Sequence, residues 1–182
     1  LLARAERTQT VRDTVESRAA PRIAQGTDNG AIRVHVLGRS YLLLQGDASP
    51  REDWAALRTR EVFYYLLDNA PVKRETVVEV FWPNLPQSRA GANLRQTLYL
   101  IRKVVGRELF VLDGQWYVLS REAQVEYDVK AFEAAAQQAL VLPRGARERS
   151  TKLANAYRLY TGEFLTDMPV DWAQRHRREL VD

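Results

Sequence analysis

The sequence predicts an α+β fold in which a few short strands accompany a larger number of helices. Residues 32–37 alternate between apolar and polar side chains, which is typical of a half-buried strand. Three segments between residues 57 and 105 repeat apolar residues at helical spacing. Two apolar runs then flank Asp113-Gly114, a dipeptide that favours a β-hairpin because both central residues of that turn need positive φ. From residue 129 onward the pattern is helical.

The first elements are a pair of strands and two helices. In the strand at 32–37 the even-numbered residues are apolar, and a second apolar run at 41–44 completes a small antiparallel sheet. A helical pattern follows at 57–69 and stops before Pro71. Its inward residues are Val62, Phe63, Leu66 and Leu67. A shorter helix is predicted at 74–82.

The next helix, at 88–105, has two contrasting faces. Its inner face is an aliphatic stripe with spacings of four, three and four residues. The stripe consists of Leu94, Leu98, Ile101 and Val105. Between Asn84 and Arg107 there are five basic residues and no acidic one. A solvated surface helix, the alternative interpretation, normally mixes both signs because Glu–Lys pairs four residues apart add stability. The pattern therefore favours an anionic partner, and DNA is the leading candidate.

The outward residues of this helix supply most of the candidate DNA contacts. Arginine and lysine side chains can neutralise phosphates, and an arginine can also bind guanine through two hydrogen bonds. Gln96 can pair with an adenine edge, whereas Asn93 is equally suited to that role and to capping the start of the helix. Tyr99 can donate to a phosphate or contact a thymine methyl group. The predicted DNA contacts are Arg89, Asn93, Arg95, Gln96, Tyr99, Arg102, Lys103, Lys73, Arg74 and Arg60.

The last three of these contacts lie at the starts of the first two helices, where they would anchor the DNA backbone. Arg58 is a further candidate of this kind. Surface salt bridges are the alternative role for all four residues, and for Arg58 that alternative is favoured. The aromatic residues Trp54, Phe63, Phe81 and Trp82 are expected to fill the core, and Trp172 is expected to pack between repeat helices.

Composition restricts the possible functions. The chain has 182 residues, a formal net charge of +4 and a pI near 9.5, which is compatible with a nucleic-acid partner. It has no cysteine, so disulfides and thiolate metal sites are excluded. No apolar run approaches the ~20 residues needed to span a bilayer, and no signal peptide is visible. These features favour a cytoplasmic protein without a membrane partner.

The sequence also argues against an enzyme. Its two histidines, His35 and His176, are far apart, and neither adjoins a recognisable nucleophile motif. His35 is expected on the solvent side of its strand and His176 on a solvated helix face. The nine glycines form no phosphate-binding loop. No catalytic residue, metal site or cofactor is predicted.

Strands, three helices and a terminal hairpin, in this order, describe a winged helix-turn-helix. In that fold the third helix enters the major groove and the hairpin, or wing, contacts the DNA backbone nearby. We expect residues 31–120 to form this domain and residues 1–30 to be the helical tail or linker of a preceding region. Residues 121–182 are expected to begin an incomplete set of tetratricopeptide-like α-helical repeats, because small residues alternate with large ones there.

Three blocks of residues resemble a known family. They are Phe81-Trp82-Pro83-Asn84 with Asn93-Leu94-Arg95, Leu98, Ile101, Arg102 and Lys103; Tyr117-Val118-Leu119; and Tyr127-Asp128, Phe132, Tyr160 to Leu165 and Trp172. Together they are similar to the SARP family of bacterial transcriptional regulators, which join an OmpR/PhoB-type winged helix to a bacterial transcriptional activation domain. The resemblance covers about residues 32–182. Two positions depart from the family pattern: Trp116 replaces a frequent glycine and Leu100 a frequent arginine.

The resemblance implies a sequence-specific DNA-binding transcriptional activator. Its partners would be double-stranded promoter DNA, RNA polymerase and, on repeated DNA sites, a second copy of the chain. The alternative is a protein-interaction module in which a winged helix and helical repeats form a docking surface without binding DNA.

Overall fold

The computed structural model describes residues 30–168 and 170–181. The tail predicted over residues 1–30 therefore lies outside the described residues, apart from Gly30. Within the described ranges the chain forms six α-helices and six short strands. The helices are α1 (Leu57–Asn69), α2 (Arg74–Phe81), α3 (Gln87–Val105), α4 (Asp128–Leu140), α5 (Arg147–Leu159) and α6 (Asp171–Val181). The strands are β1 (Ile32–His35), β2 (Tyr41–Leu43), β3 (Val72–Lys73), β4 (Phe110–Asp113), β5 (Trp116–Leu119) and β6 (Val125–Tyr127).

The predicted helices and hairpin are present, and the fold is mixed α and β. Helix α1 coincides with the predicted range, and α3 begins one residue early. Helix α3 ends at Gly106, whose φ of +80° is the left-handed cap conformation that glycine readily adopts. The hairpin turn differs from the prediction, since Asp113 belongs to β4 and lacks positive φ. The turn is Gly114-Gln115, and Gly114 has a φ of +60°, a conformation that glycine adopts readily at the first central position of a hairpin turn.

The strands form two separate three-stranded sheets. In the first, β1 pairs antiparallel with β2, as predicted, and parallel with β6, which the sequence did not reveal. In the second, β5 lies between β3 and β4, and all pairs are antiparallel. Strand β3 immediately precedes α2, so this pairing fixes the start of α2 beside the hairpin.

A single hydrophobic cluster joins the helix–hairpin region (residues 30–120) to the C-terminal region (residues 121–181). It contains Val34, Phe63 and Leu94 from the first region and Phe164 and Met168 from the second. Helices α4 and α5 pack against each other. Ala173 and Leu180 of α6 belong to the shared cluster. The domain boundary at residue 120 stays a prediction, but the core is continuous across it.

Trp172 does not pack between repeat helices, so that expectation was wrong. Its ring centroid lies 5.2 Å from that of Tyr65 on α1 and 5.9 Å from that of Phe164. The indole therefore joins the start of α6 to the helix–hairpin region. Phe63 and Phe81 are buried and Trp54 is partly buried, as predicted, and the Trp54 indole N–H donates to the Tyr64 hydroxyl at 3.3 Å.

The prediction for His176 was wrong, whereas His35 lies on the polar side of β1 as predicted and has a carboxylate partner that the sequence did not reveal. His176 is only 5% exposed, and its Nε2 lies 3.3 Å from Oδ1 of Asp68, a buried residue of α1. His35 Nδ1 lies 2.5 Å from Oδ2 of Asp128, and the same oxygen accepts the backbone N–H groups of Val36 and Leu37. In each case the carboxylate comes from an element distant in sequence, so local pattern could not reveal it.

Candidate nucleic-acid interface

The inner face of α3 is the aliphatic stripe that the sequence predicts. Leu94 is fully buried, Ile101 is 2% exposed and Val105 is 8% exposed. Leu98 is partly buried and packs against the same cluster. The stripe thus fixes which side of the helix faces outward, and the orientation predicted for α3 is confirmed.

All seven candidate DNA contacts on α3 are exposed. They are Arg89, Asn93, Arg95, Gln96, Tyr99, Arg102 and Lys103. Across the part of the chain that the structure describes, the four cations among them form no ion pair. Arg102 and Lys103 lie in the last turn, where a positive charge also interacts favourably with the helix dipole. The other two cations have no such local role.

The structure decides against the capping role of Asn93. Helix α3 begins at Gln87, with Pro86 as its N-cap and without a side-chain capping hydrogen bond. Asn93 lies in the second turn, where its carbonyl oxygen accepts a hydrogen bond from the Thr97 hydroxyl at 2.8 Å. The exposed side-chain amide of Asn93 therefore does not cap the helix.

Arg74, the first residue of α2, lies against α3. A Cβ atom added at Gly91 would be 2.7 Å from Nη2 of Arg74 and 3.7 Å from Nη1 of Arg95. The two guanidinium groups therefore meet over the glycine, which is itself buried. Burial raises the pKa of the Tyr117 hydroxyl on β5, and the positive charges of Arg74 and Arg95 oppose that rise. Arg74, Arg95 and Tyr117 thus form one cluster.

The remaining candidates have different surroundings. Lys73 is exposed and its Nζ lies 5.4 Å from the centroid of the partly buried Trp116 ring, a cation–π distance. Arg60 has a side chain only 12% exposed, and its Nη1 binds Asp53 at 2.8 Å and the Glu52 carbonyl at 3.1 Å. These internal contacts disfavour Arg60 as a DNA contact. Arg58 forms the salt bridge expected of it, with Glu61 at 3.0 Å.

A groove of about 310 Å³ runs between α3 and the hairpin. Arg95, Tyr99 and Arg102 line one side, and Leu112 and Tyr117 line the other. The hairpin at residues 108–119 carries two acidic residues and no basic one. Leu112 is 46% exposed and Tyr99 is 59% exposed. The cationic side of the groove therefore belongs to α3, while the hairpin side contributes apolar surface and the carboxylate of Glu108.

His35 lies between a carboxylate and a hydroxyl. Its Nδ1 faces Asp128, and its Nε2 lies 3.2 Å from Thr161 Oγ1. The Thr161 hydroxyl also donates a hydrogen bond to the Leu37 carbonyl. Among the described residues, no three His, Asp or Glu side chains are grouped so that they could hold a metal ion.

Comparison with known proteins shows the fold. No protein-family model matches the chain, and no curated protein matches it. Among solved structures it is similar to Mycobacterium tuberculosis EmbR, determined in complex with a low-affinity phosphopeptide, with a TM-score of 0.66 and 21% sequence identity. The similarity covers 82% of this chain and 41% of EmbR, so the chain spans about two-fifths of that protein. The fold is therefore EmbR-like, which agrees with the SARP-like fold that the resemblance implies.

The described helices include none that is both long and apolar enough to cross a membrane.

Proposed function

We propose that the chain is the DNA-binding and adjoining helical part of a SARP-like transcriptional activator that acts on promoter DNA in the cytoplasm. Helix α3 would be the recognition helix of a winged helix-turn-helix and would enter the major groove. The observation that carries the proposal is the outer face of α3, where Arg89, Arg95, Arg102 and Lys103 are exposed without an ion pair among the described residues.

Electrostatics gives the reason why these cations favour DNA. Exposed cations without ion-pair partners repel one another, and a phosphate backbone relieves that repulsion while releasing its condensed counterions. Arg95, Arg102 and Lys103 would contact phosphates or, for an arginine, guanine. Gln96 is the candidate for reading an adenine edge. Because the hairpin has no cation, we propose that the wing contacts DNA through non-ionic groups.

The α4–α5 pair would begin the helical repeats of an activation domain. Four apolar side chains in this pair or directly after α4 are exposed to solvent. Tyr157 is 78% exposed and Val141 is 73% exposed. Leu140 and Leu153 are the other two. Exposed apolar groups of this kind suit a protein contact. The partner would be the remainder of the regulator, a second copy on repeated DNA sites, or RNA polymerase.

The same apolar groups favour the second candidate function, a protein-interaction module that does not bind DNA. In that case the exposed surface of the hairpin and of α4–α5 would be the docking site. The two functions differ in their dependence on salt, since an apolar interface loses little affinity as salt rises whereas phosphate contacts lose much.

Fluorescence anisotropy with labelled promoter duplex, titrated at several salt concentrations, tests the proposal. We expect roughly 4–7 phosphate contacts, each adding a slope of about −0.9 to log affinity against log salt. Arg102→Ala should lower that slope. Arg121→Ala, which removes an exposed cation from a loop outside α3, is the matched control and should leave it unchanged. Affinity that stays flat with salt would reject DNA binding in favour of protein docking.

A further inference from the structure

The meeting of Arg74 and Arg95 over Gly91 is not explained by the fold. Two guanidinium groups come together on the surface at the start of α2 and the second turn of α3. Like charges placed close together are unfavourable unless an anion lies between them. Among the described residues neither arginine forms an ion pair, and Glu108, which shares a groove with Arg95, is not within ion-pair distance of it.

Backbone pairing holds the two arginines in this position. The N–H of Arg74 donates to the Gln115 carbonyl at 2.9 Å, which fixes the start of α2 to the hairpin turn. Arg95 follows the fully buried Leu94, so its backbone is fixed by the core. The cluster is therefore built from two rigid elements, and a charged group can be recognised there with little loss of backbone freedom.

Gly91 is the third part of the arrangement. Glycine in a helix interior is destabilising relative to alanine, so its presence on α3 needs a reason. Any other residue would place a Cβ atom 2.7 Å from Nη2 of Arg74 and push that guanidinium away. The glycine leaves room for the Arg74 side chain beside Arg95.

We infer that Arg74 and Arg95 form a clamp that binds one tetrahedral oxyanion above Gly91, and that this anion is a phosphodiester of the DNA backbone. The inference rests on the proposed function for the identity of the anion, but not for the existence of the site. Guanidinium groups suit the task because each presents several N–H donors in a planar fork that matches phosphate oxygens.

Two arginines that share one phosphate should act as a unit. We would measure the salt slope of duplex binding for the wild-type chain, Arg74→Ala, Arg95→Ala and the double variant. The double variant should lose about one phosphate contact, or about 0.9 in slope, rather than two. Arg74→Ala combined with Arg89→Ala is the control pair, and its two losses should add. Additive losses for Arg74 and Arg95 would overturn the clamp while leaving DNA binding intact.

Sulfate tests the same site without DNA. At equal ionic strength, sulfate should raise the melting temperature of every variant above its value in chloride, because sulfate is excluded from protein surfaces. Binding at the clamp should add a further increment, which the wild-type chain and Arg89→Ala should show and which Arg74→Ala and Arg95→Ala should lose. If the wild-type chain fails to bind duplex yet shows this pattern, the oxyanion site stands and the proposed function is rejected. If the wild-type chain shows neither duplex binding nor this sulfate pattern, both the proposed function and the oxyanion site are rejected.

Gly91→Ala separates binding from folding. Alanine is the better helix former, so the variant should fold with at least the wild-type melting temperature in chloride. It should nevertheless lose the further sulfate increment and bind duplex more weakly, because the Arg74 guanidinium is displaced. An unchanged sulfate response in this variant would show that the oxyanion does not bind over Gly91.

Discussion

At the junction of α1 and α6, His176 lies 3.3 Å from the carboxylate of Asp68 and both side chains are buried. On the outer face of α3, Arg95 and Lys103 are exposed, and no acidic residue within the described ranges pairs with them. The junction and the outer face of α3 are both built on the same hydrophobic core, and both carry ionisable side chains. At the junction these side chains contact one another, whereas on α3 they have no ion-pair partner within the described residues.

This difference indicates separate tasks. A buried carboxylate is costly unless polar groups lie beside it, and Asp68 has the His176 imidazole at 3.3 Å and the donating Tyr127 hydroxyl at 3.4 Å. These contacts contribute to holding the two regions together. The cations of α3 are exposed to water and remain available to an external anion. We therefore expect changes at the junction to alter stability and changes on α3 to alter binding.

The largest effect is expected at Asp68. Asp68→Ala should lower the free energy of unfolding by about 3–5 kcal/mol, because it removes a buried carboxylate that both the His176 imidazole and the Tyr127 hydroxyl contact. Urea denaturation followed by circular dichroism measures it. Glu79→Ala, which removes an exposed carboxylate from α2, should stay within about ±0.5 kcal/mol. Equal effects of the two substitutions would show that the junction pair does not hold the regions together.

The inner stripe of α3 supplies a stability effect on the helix that carries the cations. Leu94→Ala should cost about 2–5 kcal/mol by opening a cavity, since Leu94 is fully buried. Leu98→Ala should cost less because Leu98 is only partly buried. Equilibrium unfolding of both variants checks the order. A larger loss for Leu98 would mean that α3 is rotated from the orientation described above.

A pair of neighbouring arginines on α6 gives a sharper contrast. Arg177 donates to the carbonyl oxygens of Phe164, Leu165 and Met168 at 2.6, 2.6 and 3.0 Å. Arg177→Ala should cost about 1–3 kcal/mol, because buried acceptors lose their donor. Arg178 is exposed, and Arg178→Ala should stay within about ±0.5 kcal/mol. Thermal melts distinguish the two, and indistinguishable melting temperatures would contradict this role of Arg177.

The smallest stability effects belong to the outer face of α3. Gln96→Ala and Lys103→Ala should each change the free energy of unfolding by no more than about 0.5 kcal/mol. Gln96→Ala should weaken binding to the preferred DNA sequence by about 1–3 kcal/mol and relax preference at one base pair. Lys103→Ala should weaken binding to all sequences alike. If both folded variants keep wild-type affinity and preference, α3 is not the element that reads DNA.

Local pattern was sufficient where an element is long and bounded by clear signals. Helix α1 was predicted at its observed bounds because its apolar spacing extends over three turns and Pro71 follows it. The orientation of α3 followed from its stripe. The three-residue strand β6 is too short to show a period, and its partner β1 lies about 90 residues earlier. No local signal could have revealed it.

The candidate site was predicted in part for the same reason. Exposure of the α3 residues follows from helical periodicity, whereas the pairing of Arg60 with Asp53 depends on how a loop folds back. His176 was misplaced because its arginine neighbours suggested a solvated face, although Arg177 also points to internal acceptors. The position of Gly91 was the one available signal for the Arg74–Arg95 cluster, since an isolated glycine in a helical pattern often marks a close approach.

The parallel pairing of β1 with β6 has a consequence for synthesis of the chain on the ribosome. Arg33 and Glu126 face each other in register although they are 93 residues apart. At about 5–20 residues per second, β1 waits roughly 5–20 s for that partner to be translated. During this interval the strand has one open edge, which is a template for association with other chains. A fragment ending at residue 120 would keep that edge open permanently, so aggregation of such a fragment would reflect its missing strand rather than a failure of its helices.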